Sequence, residues 1–429
     1  EIDRSRLAAV AALEAVQYVS EDLPQHIDGE ETTTNVQTGL WSQGATPYHD
    51  AGVDGSGGSI GSPQVLMIVD TGISVDAGDL SHTRTTAGTV GLSHRKVRRY
   101  ESTGAFGGVG DTSGCDEPLN GGKTHGHIVA ATALGNATSV DDGSYGQGWL
   151  AYDDDGKDWK LDGVAPGAVL VAFDGQITPP TVSCSDPGQG TVSAGLLYDE
   201  IGNQGAMADS YDNDNARIFN FSFGADVNDY VEGYAGQIDL FLFNKRNALA
   251  FLSAGNYGSD DDNNNFPDLG SLGSNANTKN GLAIGASVAV NDLGDTSEGN
   301  FARNRAAFSS VGPAGGVDEV VDRTAPQLMA PGHDYIIAAA MGMVSEYHCR
   351  SDDNDQVGEA RCDVVTESSG TSFAAPAAAG SALLVRDYFA QGFHPDGTSD
   401  NPGNAGDVVP DISGALIKSV LISSAAFLD

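Results

Sequence analysis

Four side chains in this 429-residue chain are of the types that together attack and release an acyl group. Ser372 lies in Glu367-Ser-Ser-Gly-Thr-Ser-Phe-Ala-Ala-Pro376, directly ahead of an Ala-rich run, Phe373 to Val385, that reads as a buried helix. At a helix N-terminus the free backbone N–H groups and the positive end of the dipole favour a developing negative charge. The small residues around Ser372 also let a peptide backbone approach closely. Gly-Thr-Ser before a helix is equally an ordinary N-cap sequence, so this stretch alone supports either reading. Asp70 follows the apolar run Val65 to Val69, His125 opens an Ala-rich run that reaches Leu134, and Asn256 follows Phe251-Leu-Ser-Ala-Gly. A serine hydroxyl is a poor nucleophile until a base takes its proton, and a histidine does this and later protonates the leaving group. A buried carboxylate holds the imidazole tautomer and stabilises the imidazolium. An Asn amide with the serine's own N–H supplies donors to an oxyanion.

The elements that must position these groups are legible too. Val65 to Val69 is apolar throughout, as expected of a central parallel strand buried on both faces. Asp70 then falls at its carboxyl end, where open α/β sheets carry functional residues; capping the next turn is the alternative role. Glu101 to Lys123 reads as a Gly-rich loop before the His125 helix, and Gly163 to Val171 as the strand after it. Further on come a helix over Ala194 to Ala208 with a polar stretch Asp209 to Asn215, and a strand over Arg217 to Gly224. A helix over Ile238 to Leu249, strands over Ala250 to Ser253 and Leu282 to Val288, and a closing helix over Ile412 to Ala426 complete the set.

The stretches carrying these residues resemble the motifs of the subtilisin-like serine proteases, the subtilases, of the S8 peptidase type. Gly370-Thr-Ser-Phe-Ala-Ala-Pro376 is similar to the nucleophile motif, with Phe where the family usually has Met. Val65-Leu-Met-Ile-Val-Asp-Thr-Gly-Ile73 resembles the aspartate motif, Thr124-His-Gly-His-Ile-Val-Ala-Ala-Thr132 the histidine motif, and Phe251-Leu-Ser-Ala-Gly-Asn256 the oxyanion segment. The family usually reads His-Gly-Thr-His, whereas here His127 takes the Thr place and Ile128 the second His place. Alignment through Gly126 assigns the base to His125 and leaves His127 as a nearby polar residue. The order Asp70, His125, Ser372 is that of the family, whereas α/β-hydrolases run Ser, Asp, His and use a G-x-S-x-G elbow absent here. Sedolisins use Glu and Asp in place of His125 and Asn256. The resemblance covers roughly residues 39–429. It implies a three-layer α/β domain, a mostly parallel central sheet with helices on both faces, and a secreted endopeptidase acting through an acyl-enzyme on an extended polypeptide. It implies substrate contacts at Ser222, Phe223 and Gly224, an edge onto which a peptide can add by main-chain hydrogen bonds, and at Ser253, Ala254 and Gly255. A catalytically silent binding or scaffold relative is the alternative, although no chemical group of the site is missing.

The rest of the chain bounds these expectations. Net charge is −38, from 45 Asp and 14 Glu against 14 Arg and 7 Lys. Such a field repels nucleic acid and anionic membranes, so neither is an expected partner. It fits a hydrated acidic surface suited to salty water, together with structural calcium. Calcium candidates are Asp153, Asp155 and Asp158 around a glycine, Asp260 and Asp262, and Asp352 and Asp355; solvated acidic loop is the alternative for each. No catalytic metal is expected. No apolar run approaches the ~18 residues of a membrane span. Cys115, Cys184, Cys349 and Cys362 suggest two disulfides in an exported protein, with Cys349 and Cys362 the natural local pair, or else four reduced buried thiols. Residues 1–30 carry Leu7, Val10, Leu13 and Val16 at helical spacing and then a β-like stretch. They resemble the tail of a subtilase pro-segment, a further expected partner of the domain over 31–429; a plain N-terminal helix is the alternative.

Overall fold

The computed structural model describes residues 32–33, 36–37, 46–58, 61–73, 75, 79–82, 88–102, 125–136, 162–175, 205–258, 267–288, 304–315, 323–333, 338–339, 365–366, 369–398 and 407–426. Seven strands form one sheet: β1 Val65–Asp70, β2 Val97–Ser102, β3 Val169–Asp174, β4 Ile218–Phe221, β5 Leu249–Ser253, β6 Leu282–Val288 and β7 Leu328–His333. Their order is β2-β3-β1-β4-β5-β6-β7 and every pairing is parallel. From β1 the chain crosses to the edge strand β2 and returns to place β3 between them, and then builds outward on the other side from β4 to β7. That reversal makes the carboxyl end of β1 a switch point, where such sheets leave a crevice.

The all-apolar β1 is explained by its two faces. Leu66 and Ile68 point into one core with helices α1 (His125–Leu134), α4 (Thr371–Ala390) and α5 (Gly414–Ser424). Val65, Met67 and Val69 point into a second core with α2 (Ala206–Asn213) and α3 (Gln237–Asn244). Side chains alternate along a strand, so a strand covered on both sides must be apolar at every position. The result is the expected three-layer α/β architecture.

Several boundaries differ from the expectations, each for a local reason. Glu101 and Ser102 end β2 rather than beginning a loop. This strand is disguised by its charges: Arg99 pairs with Asp209 on α2 and with Asp214 just past its end and lies over the Phe173 ring, while Val97 and Tyr100 are buried. Asp209 to Asn213 belong to α2, whose buried side is Ala206, Met207, Ala208 and Ser210. The strand after the histidine helix begins only at Val169 and runs on to Asp174, because Val164 to Ala168 make the bend that enters it. β4 stops at Phe221, so Ser222, Phe223 and Gly224 leave the sheet. Leu249 belongs to β5, since α3 ends at Asn244. α4 extends beyond Phe373 to Val385 at both ends, and α5 is the closing helix, shortened to Gly414–Ser424.

All four cysteines, residues 1–30, and the calcium candidates Asp153, Asp155, Asp158, Asp260, Asp262, Asp352 and Asp355 lie outside the described residues.

Candidate active site

Asp70 closes β1 and is buried, with its Oδ1 taking the Thr71 N–H at 2.7 Å. His125 is the first residue of α1, and its Nδ1 lies 2.7 Å from the same Oδ1. A carboxylate only accepts, so the imidazole proton sits on Nδ1 and Nε2 is left as the basic nitrogen. The approach of α1 to the end of β1 depends on Gly126. A Cβ there would fall 2.3 Å from the Gly72 carbonyl and 3.0 Å from Asp70 Cβ. Burial opposes a charged imidazole, but the charge of Asp70 and its hydrogen bond outweigh this and raise the His125 pKa above its ordinary 6.5.

Ser372 is the second residue of α4, which follows Gly370. The next side chain, Phe373, packs against the His125 ring with centroids 5.3 Å apart, which brings the imidazole to the first turn of α4. Ser372 Oγ donates to the Ser222 carbonyl at 3.0 Å. In this arrangement the hydroxyl proton rests on the chain just beyond β4.

Asn256 follows β5 and faces the same helix end. Its Oδ1 accepts from the Thr371 N–H at 2.9 Å and from Thr371 Oγ1 at 3.0 Å. A backbone N–H can only donate, so the amide oxygen must face Thr371 and the Nδ2 end turns away from it. Thr371 Oγ1 in turn accepts from the Gly255 N–H at 3.1 Å. Thr371 is a positioning residue that sequence reasoning left without a role, although it stands inside the serine motif. The signal was the question of what orients a lone amide at the end of a strand.

The remaining candidates meet their neighbours in different ways. Ser222 is buried and bonded to Ser372 through both its carbonyl and its hydroxyl, whose Oγ donates to the Ser372 carbonyl at 2.6 Å. Phe223 gives its carbonyl to Asn275 Nδ2 at 2.9 Å, and Gly224 is exposed. Ser253 ends β5, the Ala254 N–H donates to Ile284 O, and Gly255 O accepts from the Ser310 N–H. Gly273 lies between the two walls: a Cβ there would sit 3.4 Å from Ala225 O and 3.7 Å from Ala254 O. Of these six residues, Ser222 and Gly255 are bonded to the first turn of α4, through Ser372 and Thr371, while the Phe223 carbonyl, the Ala254 N–H and the Gly255 carbonyl are engaged elsewhere within the protein.

His127, two residues along α1, is completely buried, and its Nε2 lies 3.4 Å from Asp79 Oδ1. It is not near Asp70's partner nitrogen but on another side of the helix, since two residues turn it by about 200°. Among the described residues, no group of three or more His, Cys, Asp or Glu side chains could hold a metal ion.

The Subtilase family model matches residues 61–427. No curated protein sequence matches the chain. Among solved structures, the S41 psychrophilic protease is 20% identical, with 84% of this chain and 83% of that one covered and a TM-score of 0.48. A protease from Pseudoalteromonas arctica is 15% identical, with 89% and 87% covered and a TM-score of 0.49. A cold-adapted subtilisin-like serine proteinase is 17% identical, with 84% and 81% covered and a TM-score of 0.42.

Proposed function

The chain belongs to the Subtilase family and is a serine endopeptidase, and from that premise we propose that Ser372, His125 and Asp70 form its catalytic triad, with Asn256 as oxyanion donor. His125 Nε2 takes the Ser372 proton as Oγ attacks the scissile carbonyl carbon. The carbonyl oxygen becomes an oxyanion held by Asn256 Nδ2 and the Ser372 N–H, one of the helix's first N–H groups, which lack intrahelical acceptors. Collapse expels the amine, protonated by the His125 imidazolium, and leaves an acyl group on Ser372. Water, deprotonated by His125, then attacks that ester and restores the serine. Asp70 stays ionised and stabilises the imidazolium throughout.

The observation that carries this reading is the convergence at one helix end. His125 is bonded to Asp70 at 2.7 Å and packed on Phe373, while Thr371 ties the Asn256 amide in the orientation an oxyanion donor needs. A substrate would run extended past Gly224 on one side and Ser253 to Gly255 on the other. We further infer that the protein acts outside the cell; among the described residues no helix is long and apolar enough to cross a membrane. Residues 1–30 are proposed as the tail of a pro-segment that partners the domain over 31–429.

The test is labelling with a serine-reactive phosphonate followed by peptide mapping. Modification of Ser372 in the parent, and none in Ser372→Ala, is the expected result. Modification elsewhere, or hydrolysis by Ser372→Ala within tenfold of the parent, removes the assignment, since loss of such a serine costs about 10⁶ in turnover.

Calcium is proposed as a structural ion. Asp79 has both carboxylate oxygens buried without a hydrogen-bond partner among the described residues. Its neighbour among the described side chains is His127, with Nε2 3.4 Å from Oδ1. The Asp-rich runs of the sequence that hold Asp153, Asp155 and Asp158, Asp260 and Asp262, and Asp352 and Asp355 supply the oxygen ligands a hard cation takes. Thermal inactivation at fixed high ionic strength should be slower in calcium than in chelator; equal rates remove the proposal.

A further inference from the structure

We propose that Asn220, a buried residue of β4 that touches no substrate, is a positioning residue that holds the nucleophile through the side chain of Ser222. The inference rests on Ser372 being the nucleophile. It begins with Pro376. In a helix the carbonyl of Ser372 would accept from the N–H four residues on, but that residue is Pro376 and has no N–H. The proline ring also crowds that carbonyl and turns it outward. The orphaned oxygen is met by Ser222 Oγ at 2.6 Å.

The direction of that bond decides the rest. A carbonyl only accepts, so the single proton of the Ser222 hydroxyl must lie on the line to Ser372 O. Ser222 Oγ is then an acceptor toward its other neighbour, Asn220, at 2.9 Å, which must therefore present Nδ2. The chain reads Asn220 N–H to Ser222 O–H to Ser372 C=O, with each step forced by the one after it. Asn220 is fully buried, and this orientation leaves its Oδ1 without a partner among the described residues, a cost that an apolar residue would avoid. Meanwhile Ser372 Oγ donates to the Ser222 carbonyl. The nucleophilic residue is thus clamped at both its carbonyl and its hydroxyl by one neighbour, and Asn220 keeps that neighbour from turning.

The test uses the full chain and reads kcat, KM and the phosphonate inactivation rate. Ser222→Ala and Asn220→Leu should each lower kcat and inactivation rate by about 10- to 100-fold, the effect of small misplacement of a reacting group, with KM changed by no more than about twofold. Ser222→Thr keeps the hydroxyl and should recover to within about threefold of the parent. Pro376→Ala returns an N–H to the Ser372 carbonyl. Whatever it does alone, Ser222→Ala should cost less than about threefold in that background, the non-additivity expected of coupled residues. If Asn220→Leu fails to fold, Asn220→Ala is measured in its place, and an Asn220 variant with kcat within about threefold of the parent overturns the role of Asn220. A Ser222→Ala variant with kcat within about threefold of the parent overturns the proposal. So does an equal cost of Ser222→Ala with and without Pro376. Failure of the underlying triad looks different: the parent itself would not be labelled at Ser372.

Discussion

Helix α1 carries two histidines two residues apart, each facing an aspartate, and only one of them combines a close carboxylate with an exposed edge. His125 keeps 30% of its side chain exposed and meets Asp70 at 2.7 Å, beside the first turn of α4. His127 has no exposure and stands 3.4 Å from Asp79, whose oxygens gain no hydrogen bond from it. The residue types are the same, and so is the element. What differs is the place of each carboxylate in the sheet's connections. Asp70 ends a central strand at the switch point, and its histidine keeps an exposed edge. Asp79 lies in the turn between β1 and β2, beside Asn136 and Arg95, where the chain is packed on all sides. A basic nitrogen needs a charged partner behind it and an open side in front, and only His125 has both.

The sharpest way to break this comparison is to exchange the two losses. His125→Ala should reduce kcat by about 10⁶, as for other members of a unit that acts together. His127→Ala should leave kcat within tenfold of the parent. A reversed outcome would move the base to His127. Next in size, Asp70→Asn should lower kcat by about 10⁴ through the wrong imidazole tautomer, whereas Asp79→Asn should leave kcat near the parent value in calcium. Both contrasts are checked with one soluble peptide substrate.

A smaller effect separates the two histidines by stability. Removing the fully packed His127 ring should cost about 2–4 kcal/mol, as for other large-to-small core changes, read as a lower denaturant midpoint. His125→Ala should cost less, because part of its ring faces solvent.

The smallest effect concerns pH. Asp70 raises the His125 pKa above 6.5 despite burial, and the base must be neutral to act. The acid limb of kcat/KM should therefore lie above pH 6.5 and move to lower pH in Asp70→Asn. The same raised pKa makes a stability contribution that is complete below the unfolded value and is lost as pH rises through the folded one. Activity and this share of stability should thus change in opposite directions over that window. An acid limb at or below 6.5 in the parent, measured from pH-dependent kcat/KM, would contradict the Asp70 effect.

Legibility in the sequence followed burial. β1, β5 and β6 are apolar because both faces are covered, and their runs were readable as strands. β2 was not: no strand was legible over Val97–Ser102 and Glu101 and Ser102 read as the start of a loop, because the charges of Arg99 and Glu101 find their partners only when Asp209 of α2 and Asp214 just past it are brought alongside. In α2 the same thing happened in reverse: Asp209 to Asn213 read as a polar stretch after the helix, but they belong to it, with Asp209 turned to Arg99 and Asp212 and Asn213 on its solvated side.

The kinds of chemical group, their order Asp70, His125, Ser372, and the helix and strand ends that carry them were determined by the sequence alone. Residue type and local periodicity are enough to set them. Only the tertiary structure decided which aspartate each histidine meets, which end of the Asn256 amide faces Thr371, and which hydroxyl satisfies the carbonyl that Pro376 leaves without a donor. Those pairings join residues that strand order and helix packing bring together: 55 apart for His125 and Asp70, 115 for Thr371 and Asn256, and 150 for Ser222 and Ser372. No local rule carries that far, because the partner is chosen by where the sheet places it.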